Sequence, residues 1–172
     1  MKAALANPFL AAAIEVVEQE TGIEVKRGDL TVRKSRMAGH DVTVLIAVTG
    51  AAEGVVLYGM AEDTAKGLVG AILGEPCEEF DEMAASGIAE LGNVITGRAS
   101  HLLEEAGLTS TISPPSIIRG SSTEVSTLDL PRLVIPLETF VGRIQIDVAL
   151  REAEEASSEL GTPPKPQVPG AG

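Results

Sequence analysis

The feature that most restricts the fold of this chain is one long helical period between residues 80 and 106. At 100° per residue, Ala84, Ile88, Leu91, Ile95, Ala99 and Leu102 lie within about 45° of a common direction, an apolar stripe that must be buried. Glu78, Glu79, Asp81 and Glu82 crowd its first turn, where the helix dipole favours negative charge, and Gly107 ends it. A stripe this long needs a broad apolar surface opposite it, and the flanking sequence supplies strands. Residues 41–48 (DVTVLIAV) and 54–60 (GVVLYGM) read as strands joined at 50–53 into a hairpin. A short helix over 62–73 follows, closed by Gly74 and Pro76. Beyond Pro114-Pro115, residues 116–119, 128–136 and 143–150 are further strand candidates. This order predicts an α+β fold, with long helices packed on an antiparallel or mixed β-sheet.

Asn7-Pro8 reads as a helix start, with Asn as cap and Pro at the first helical position, and that helix runs to about Thr21 before Gly22. Short β-like pieces lie around Gly28. Residues 1–151 make one domain. Residues 152–172 lose periodicity, and Pro163, Pro164, Pro166 and Pro169 keep this Pro/Gly-rich end out of a packed core, so it reads as a disordered tail.

Only four residues are aromatic (Phe9, Tyr58, Phe80 and Phe140), so the core is built from Ala, Val, Ile and Leu. A net charge of −12 without a Lys/Arg cluster argues against nucleic acid and against an anionic membrane surface. The scarcity of aromatics also removes base-stacking platforms. The single Cys77 excludes an internal disulfide and reads as an inert thiol, and His40 and His101 form no ligand-spaced motif. The apolar runs are far shorter than the roughly 20 residues that span a bilayer. The expected setting is reducing and cytoplasmic.

The chemistry-bearing pattern lies on the other side of the long helix. Ser86, Glu90, Asn93, Gly97, Ser100 and His101 share its outer face, and Glu90 and Asn93, three apart, are surface neighbours. Asn is a poor helix-interior residue, and Gly costs about 1 kcal/mol there relative to Ala. Gly97, one turn past Asn93, has no core contact to explain it. A flat spot beside a carboxylate and a carboxamide lets another protein's backbone come close, although an ordinary wet face with a tolerated glycine would read the same way.

The segment Ser86-Gly-Ile-Ala-Glu90-Leu-Gly-Asn93, with Pro115 about twenty residues later, resembles the motif of the CheC/CheX/FliY chemotaxis phosphatases: Asp or Ser, then an ExxN pair, then a distant Pro. Asn7-Pro8-Phe9-Leu10, Leu73-Gly74-Glu75, Gly97 and Val134-Ile135-Pro136 also look like the CheX branch, over residues 5–151. Aligning residues 18–22 with 103–107 sets Leu5 and Pro8 opposite Glu90 and Asn93, so the first helix lacks a second pair. One site per chain is again CheX-like. Arg98 stands where the family often has a small polar residue, which bears on partner choice.

The resemblance implies an enzyme that hydrolyses the aspartyl phosphate of a CheY-like response regulator. Asn93 would orient the attacking water and Glu90 would pair with a regulator cation, an active-site Lys. Ser86, Gly97, Arg98 and His101 would contact the partner. No cofactor or metal of its own is implied, the Mg²⁺ being carried by the regulator. It also implies a homodimer in which edge strands complete each other's sheets, with the apolar segments 45–48 and 133–135 as edges needing cover. The competing reading is a catalytically silent module that binds a regulator or a flagellar-switch protein.

Overall fold

A computed structural model describes residues 2–34, 36–127 and 130–154. Three helices, α1 (Ala3–Thr21), α2 (Glu62–Leu73) and α3 (Glu82–Glu105), cover one face of an eight-stranded sheet. Its strands are β1 (Lys26–Arg27), β2 (Thr31–Arg33), β4 (Val42–Gly50), β5 (Ala52–Met60), β6 (Ser110–Ile112), β7 (Ser116–Arg119), β9 (Arg132–Thr139) and β10 (Gly142–Glu152). A separate two-stranded ribbon joins β3 (Met37–Ala38) to β8 (Glu124–Val125). The path is β1-β9-β10-β5-β4-β6, with β2 also on β9 and β7 also on β4, and the pairs among the described residues are antiparallel. The expected α+β class is what the chain adopts.

Period-two alternation decides which side chains meet the helices. Val42, Val44, Ile46 and Val48 of β4, Val56, Tyr58 and Met60 of β5, and Ile144, Ile146 and Val148 of β10 share one core with Phe9, Ala13 and Val17 of α1 and Ile88 and Ile95 of α3. The alternate residues face away, yet Leu57, Ala149, Thr43 and Val134 are also buried. The β3–β8 ribbon and the segment around Thr127 and Leu130 cover that second face. There Asp147 of β10 is fully buried and accepts from Arg132 Nη1 and, at 2.8 Å, from Gln145 Nε2. Arg132 also donates to the Arg36 carbonyl, tying the sheet to its covering segment.

Two expectations are corrected. Asn7 is not a cap: α1 begins at Ala3, with Lys2 in the capping position and Pro8 inside the helix. A proline there forfeits one backbone bond and costs about 3 kcal/mol in a helix interior. The extra turn buries Leu5 and Ala6, each 1% exposed, and a buried Leu side chain is worth about 1.5–3 kcal/mol. Burial offsets the break. The segments 45–48 and 133–135 are not edges either, because β4 lies between β5 and β6/β7, and β9 between β10 and β1/β2. The true edges are each two short strands with a break. On one side Gly28 bridges β1 and β2 and donates to the Pro136 carbonyl. On the other, Ser113-Pro114-Pro115 interrupts the ladder, and Ser113 Oγ accepts the Ala47 N–H at 2.9 Å. Short, interrupted edges resist uncontrolled pairing.

The strand expected over 128–136 is found as β9, with 128 and 129 outside the described residues. β10 runs through Glu152, which pairs with Ala52, one residue into the segment assigned to the tail; residues 155–172 lie outside the described residues. Among the described residues no helix is long and apolar enough to cross a membrane.

The His40 ring rests on Gly59 of β5, its Cδ2 only 2.2 Å from where a Cβ would stand. Burial holds its pKa below the usual 6.5, outweighing the opposite pull of Asp147 and Asp41. The unfolded chain regains the ordinary proton affinity, so it binds protons first as pH falls through 6.5. Acidification from about pH 7.5 to about 5.5 should therefore lower the urea midpoint, and His40→Gln should lose less over that interval. Equal losses in the two proteins would remove His40 from the account.

Candidate functional site

Helix α3 is framed at both ends. Asp81 is its N-cap, its Oδ1 accepting the Ala84 N–H at 2.9 Å, so this acid of the 78–82 cluster serves the helix start. At the other end Gly107 adopts φ 87° while Gly107 and Leu108 donate to the carbonyls of Glu104 and Leu103.

Between these ends, two contacts fix how α3 is rotated about its axis. Gly92 lies over the sheet, and a Cβ there would stand 3.0 Å from Val44 Cγ1 and 3.3 Å from Tyr58 Cδ2. One turn on, Thr96 is fully buried; its hydroxyl donates to the Gly92 carbonyl at 2.7 Å and lies 2.7 Å from Tyr58 Oη. The threonine proton is thus committed to the helix, so the tyrosine O–H donates to threonine. Burial pushes the Tyr58 phenol well above its usual value and keeps it a neutral donor. Neither Gly92 nor Thr96 stands out in the apolar pattern, which expects Leu102 as the last inward residue. Instead Leu103 is fully buried and Leu102 only partly so, because the sheet lies on the Gly92–Thr96 side and α1 on the other.

With that rotation set, the outer stripe faces solvent. Ser86 and Glu90 are exposed, and Asn93 is partly covered. Their spacing on the helix puts the Cβ atoms of Glu90 and Asn93 about 5–6 Å apart. Neither side chain has a hydrogen-bond or ion-pair partner among the described residues. Gly97 faces open space, where a Cβ would meet only Ile112 Cδ1 at 4.0 Å. Gly87, one turn before Glu90, is similar, with Val69 Cγ2 at 3.7 Å. The pair therefore stands between two places without side chains, and only Gly97 was suggested by the sequence.

The other candidates are placed differently. Arg98 turns toward α1, its Nε 3.1 Å from Glu15 Oε2, and does not join the stripe. His101 is exposed two turns beyond Asn93, with Glu105 Oε1 3.4 Å from Nε2 and Glu104 Oε2 3.9 Å from Nδ1. Ser100 is spent on the Ser110 carbonyl of β6 at 3.0 Å. Pro115 is partly buried in the break between β6 and β7, the edge that runs beside this flank of α3. A carboxamide and a carboxylate on a rigid helix, free of internal partners, can hold a water and attract a cation from a docked surface.

Residues 42–138, more than half the chain, match the family model described as chemotaxis phosphatase CheX. The CheY-P phosphatase CheX of Thermotoga maritima is 29% identical over 141 residues, covering 81% of this chain and 90% of that protein. A CheC-like superfamily protein from a Shewanella species superposes with a TM-score of 0.81 at 25% identity, over 88% of this chain and 99% of that one. The CheX–CheY–BeF₃–Mg²⁺ complex of Borrelia burgdorferi contains a chain that matches at 27% identity and a TM-score of 0.74, over 86% of this chain and 97% of that one.

The two glycines of the Gly92–Gly97 pair should respond oppositely to alanine. Gly97→Ala gains about 1 kcal/mol of helix propensity at no steric expense, so its urea midpoint should rise. Gly92→Ala forces a methyl into the Val44–Tyr58 contact and should cost about 1–3 kcal/mol. Shifts of the same sign in both would refute this account of α3.

Proposed function

Because the chain belongs to the CheX family of chemotaxis phosphatases, we propose that it hydrolyses the aspartyl phosphate of a CheY-like response regulator through Glu90 and Asn93. The supporting observation is that these two side chains stand together on the outer face of α3, Glu90 exposed and Asn93 partly covered, with no hydrogen-bond or ion-pair partner among the described residues and a side-chain-free position on either side.

The regulator brings the phosphoryl group and the Mg²⁺ that neutralises its charge. What this chain adds is placement. Asn93 enters the regulator's site and holds a water in line with the phosphorus. The water oxygen bonds to phosphorus as the P–O bond to the regulator's aspartate breaks, releasing a carboxylate and inorganic phosphate. A carboxamide is no base at neutral pH, so Asn93 orients the water and does not deprotonate it. Glu90 forms an ion pair with a regulator cation, its active-site Lys, and so registers the two proteins. Positioning worth about 3 kcal/mol would give roughly a hundredfold acceleration. A homodimer is part of the same reading, with β1–β2 or β6–β7 as the edges available for pairing.

A silent binding module would show the same exposed face without needing the carboxamide. Asn93→Ala separates the two: decay of the phosphorylated regulator should slow about a hundredfold toward its unassisted rate, with binding retained. An unchanged decay rate would leave only the module. Glu90→Ala should instead weaken binding of the Mg²⁺–beryllofluoride regulator, read by calorimetry, and unchanged affinity would remove the ion pair.

A further inference from the structure

Two of the most exposed large apolar side chains stand together near the start of α3. Met83 is 71% exposed and Leu73, at the end of α2, is 54% exposed. Scattered exposed apolar residues are ordinary, but these two line one groove of about 310 Å³, with buried Val69 and Ala84 also in its wall. Met83 precedes Glu90 by seven residues, two helical turns, so it lies on the same outer stripe about 10 Å along the axis. A stable protein interface covers about 800 Å² on each partner, a disc of roughly 16 Å radius. Any protein centred on Glu90 and Asn93 must therefore cover Met83. The groove it meets is acidic: Glu78, Glu79 and Asp81 line it, Glu82 adjoins it, and no Lys or Arg is in the lining, the nearby Arg119 being stacked over the Phe80 ring at 4.9 Å. The one Lys or Arg within α3, Arg98, lies on the helix's second half and is already held by Glu15.

We propose that the Leu73–Met83 groove is the apolar anchor site for the phosphorylated response regulator, taking an apolar side chain flanked by lysines or arginines on the regulator's docking face. This rests on the reading of Glu90 and Asn93 as the regulator site and extends it from chemistry to recognition. The acids attract the basic rim of that face and raise the association rate, while the unbranched, flexible Met83 moulds to the inserted side chain and prolongs the complex. Recognition and hydrolysis are then separated along one helix, with affinity set at its start and water placement at its middle.

The test uses the full chain and a CheY-like regulator in its Mg²⁺–beryllofluoride form, with KM and kcat measured on the phosphorylated regulator. Met83→Ser with Leu73→Ser should weaken binding and raise KM about tenfold or more, leaving kcat within twofold. Met83→Leu should restore most of the affinity. Phe140→Ser, equally apolar and 85% exposed but lining a different groove, should change nothing. Urea midpoints report that each variant is folded. Unchanged affinity and KM in the double variant would overturn the proposal, as would a double variant that alters sedimentation of the free protein instead of regulator binding, since the groove would then seat a second copy. Asn93→Ala, measured alongside, keeps the outcomes apart: loss of turnover there with no effect at the groove removes the anchor and leaves the phosphatase, and the reverse removes the phosphatase and leaves a binding surface.

Discussion

The orientation of α3 depends on a contact of a few atoms, in which Tyr58 donates to Thr96 and Gly92 lets the helix sit close on Val44. Successive residues of a helix differ by 100°, so a rotation of half that would carry Asn93 toward the sheet edge or Glu90 toward α1. Hydrophobic burial alone is non-directional and would tolerate such a drift. The buried hydroxyl pair does not, because an unmade bond would strand the Tyr58 hydroxyl in an apolar core. A polar contact on the inner face thus determines what the outer face presents.

That arrangement suits a reaction whose reagents are divided between two proteins. One partner supplies the activated phosphoryl group and its charge neutralisation. On the proposed reading the other needs only a stiff support for two side chains, and a helix held by α1 on one side and the sheet on the other would provide it. Placing the pair on a helix and not on a loop removes the ordering cost of a mobile segment at each encounter. Among the described residues Glu90 and Asn93 have no hydrogen-bond or ion-pair partner, so on the proposed reading no such bond has to break before they engage.

Much of this was legible in the residues. The 3.6-residue stripe gave α3, Gly74 marked the end of α2, and the alternation in 41–48 and 54–60 produced the β4–β5 hairpin, whose turn is tighter than expected, at Ala51. The exposed pair followed from helical spacing alone. What escaped reading depends on pairing across long separations. β6 reaches β4 from 60 to 64 residues away and β3 reaches β8 from 86 to 88, so strands of two or three residues carry no pattern of their own. β7 and the pieces around Gly28 were read as strands, but not their pairing with β4, 71 to 77 residues away, and with β9, 99 to 112 residues away. Pro8 misled because a local rule about helix starts competes with burial of Leu5, which only the tertiary structure reveals. Thr96 looked like one more polar residue; its value lies in Tyr58, 38 positions away. Arg98 gave no sign of Glu15 for the same reason.

Two sizeable grooves lie elsewhere, one against α2 and the tip of the β9–β10 hairpin, the other on the far side of the sheet, and neither is lined by Glu90 or Asn93. On the proposed reading the reacting pair lies on the solvent-facing side of a helix, outside these grooves. A helix face outside these grooves does not enclose a small molecule, so acyl phosphates of metabolic size would find little to hold them there, and selectivity against them requires no dedicated filter. With the site placed there, shape restricts the proposed enzyme to substrates that bring their own cavity.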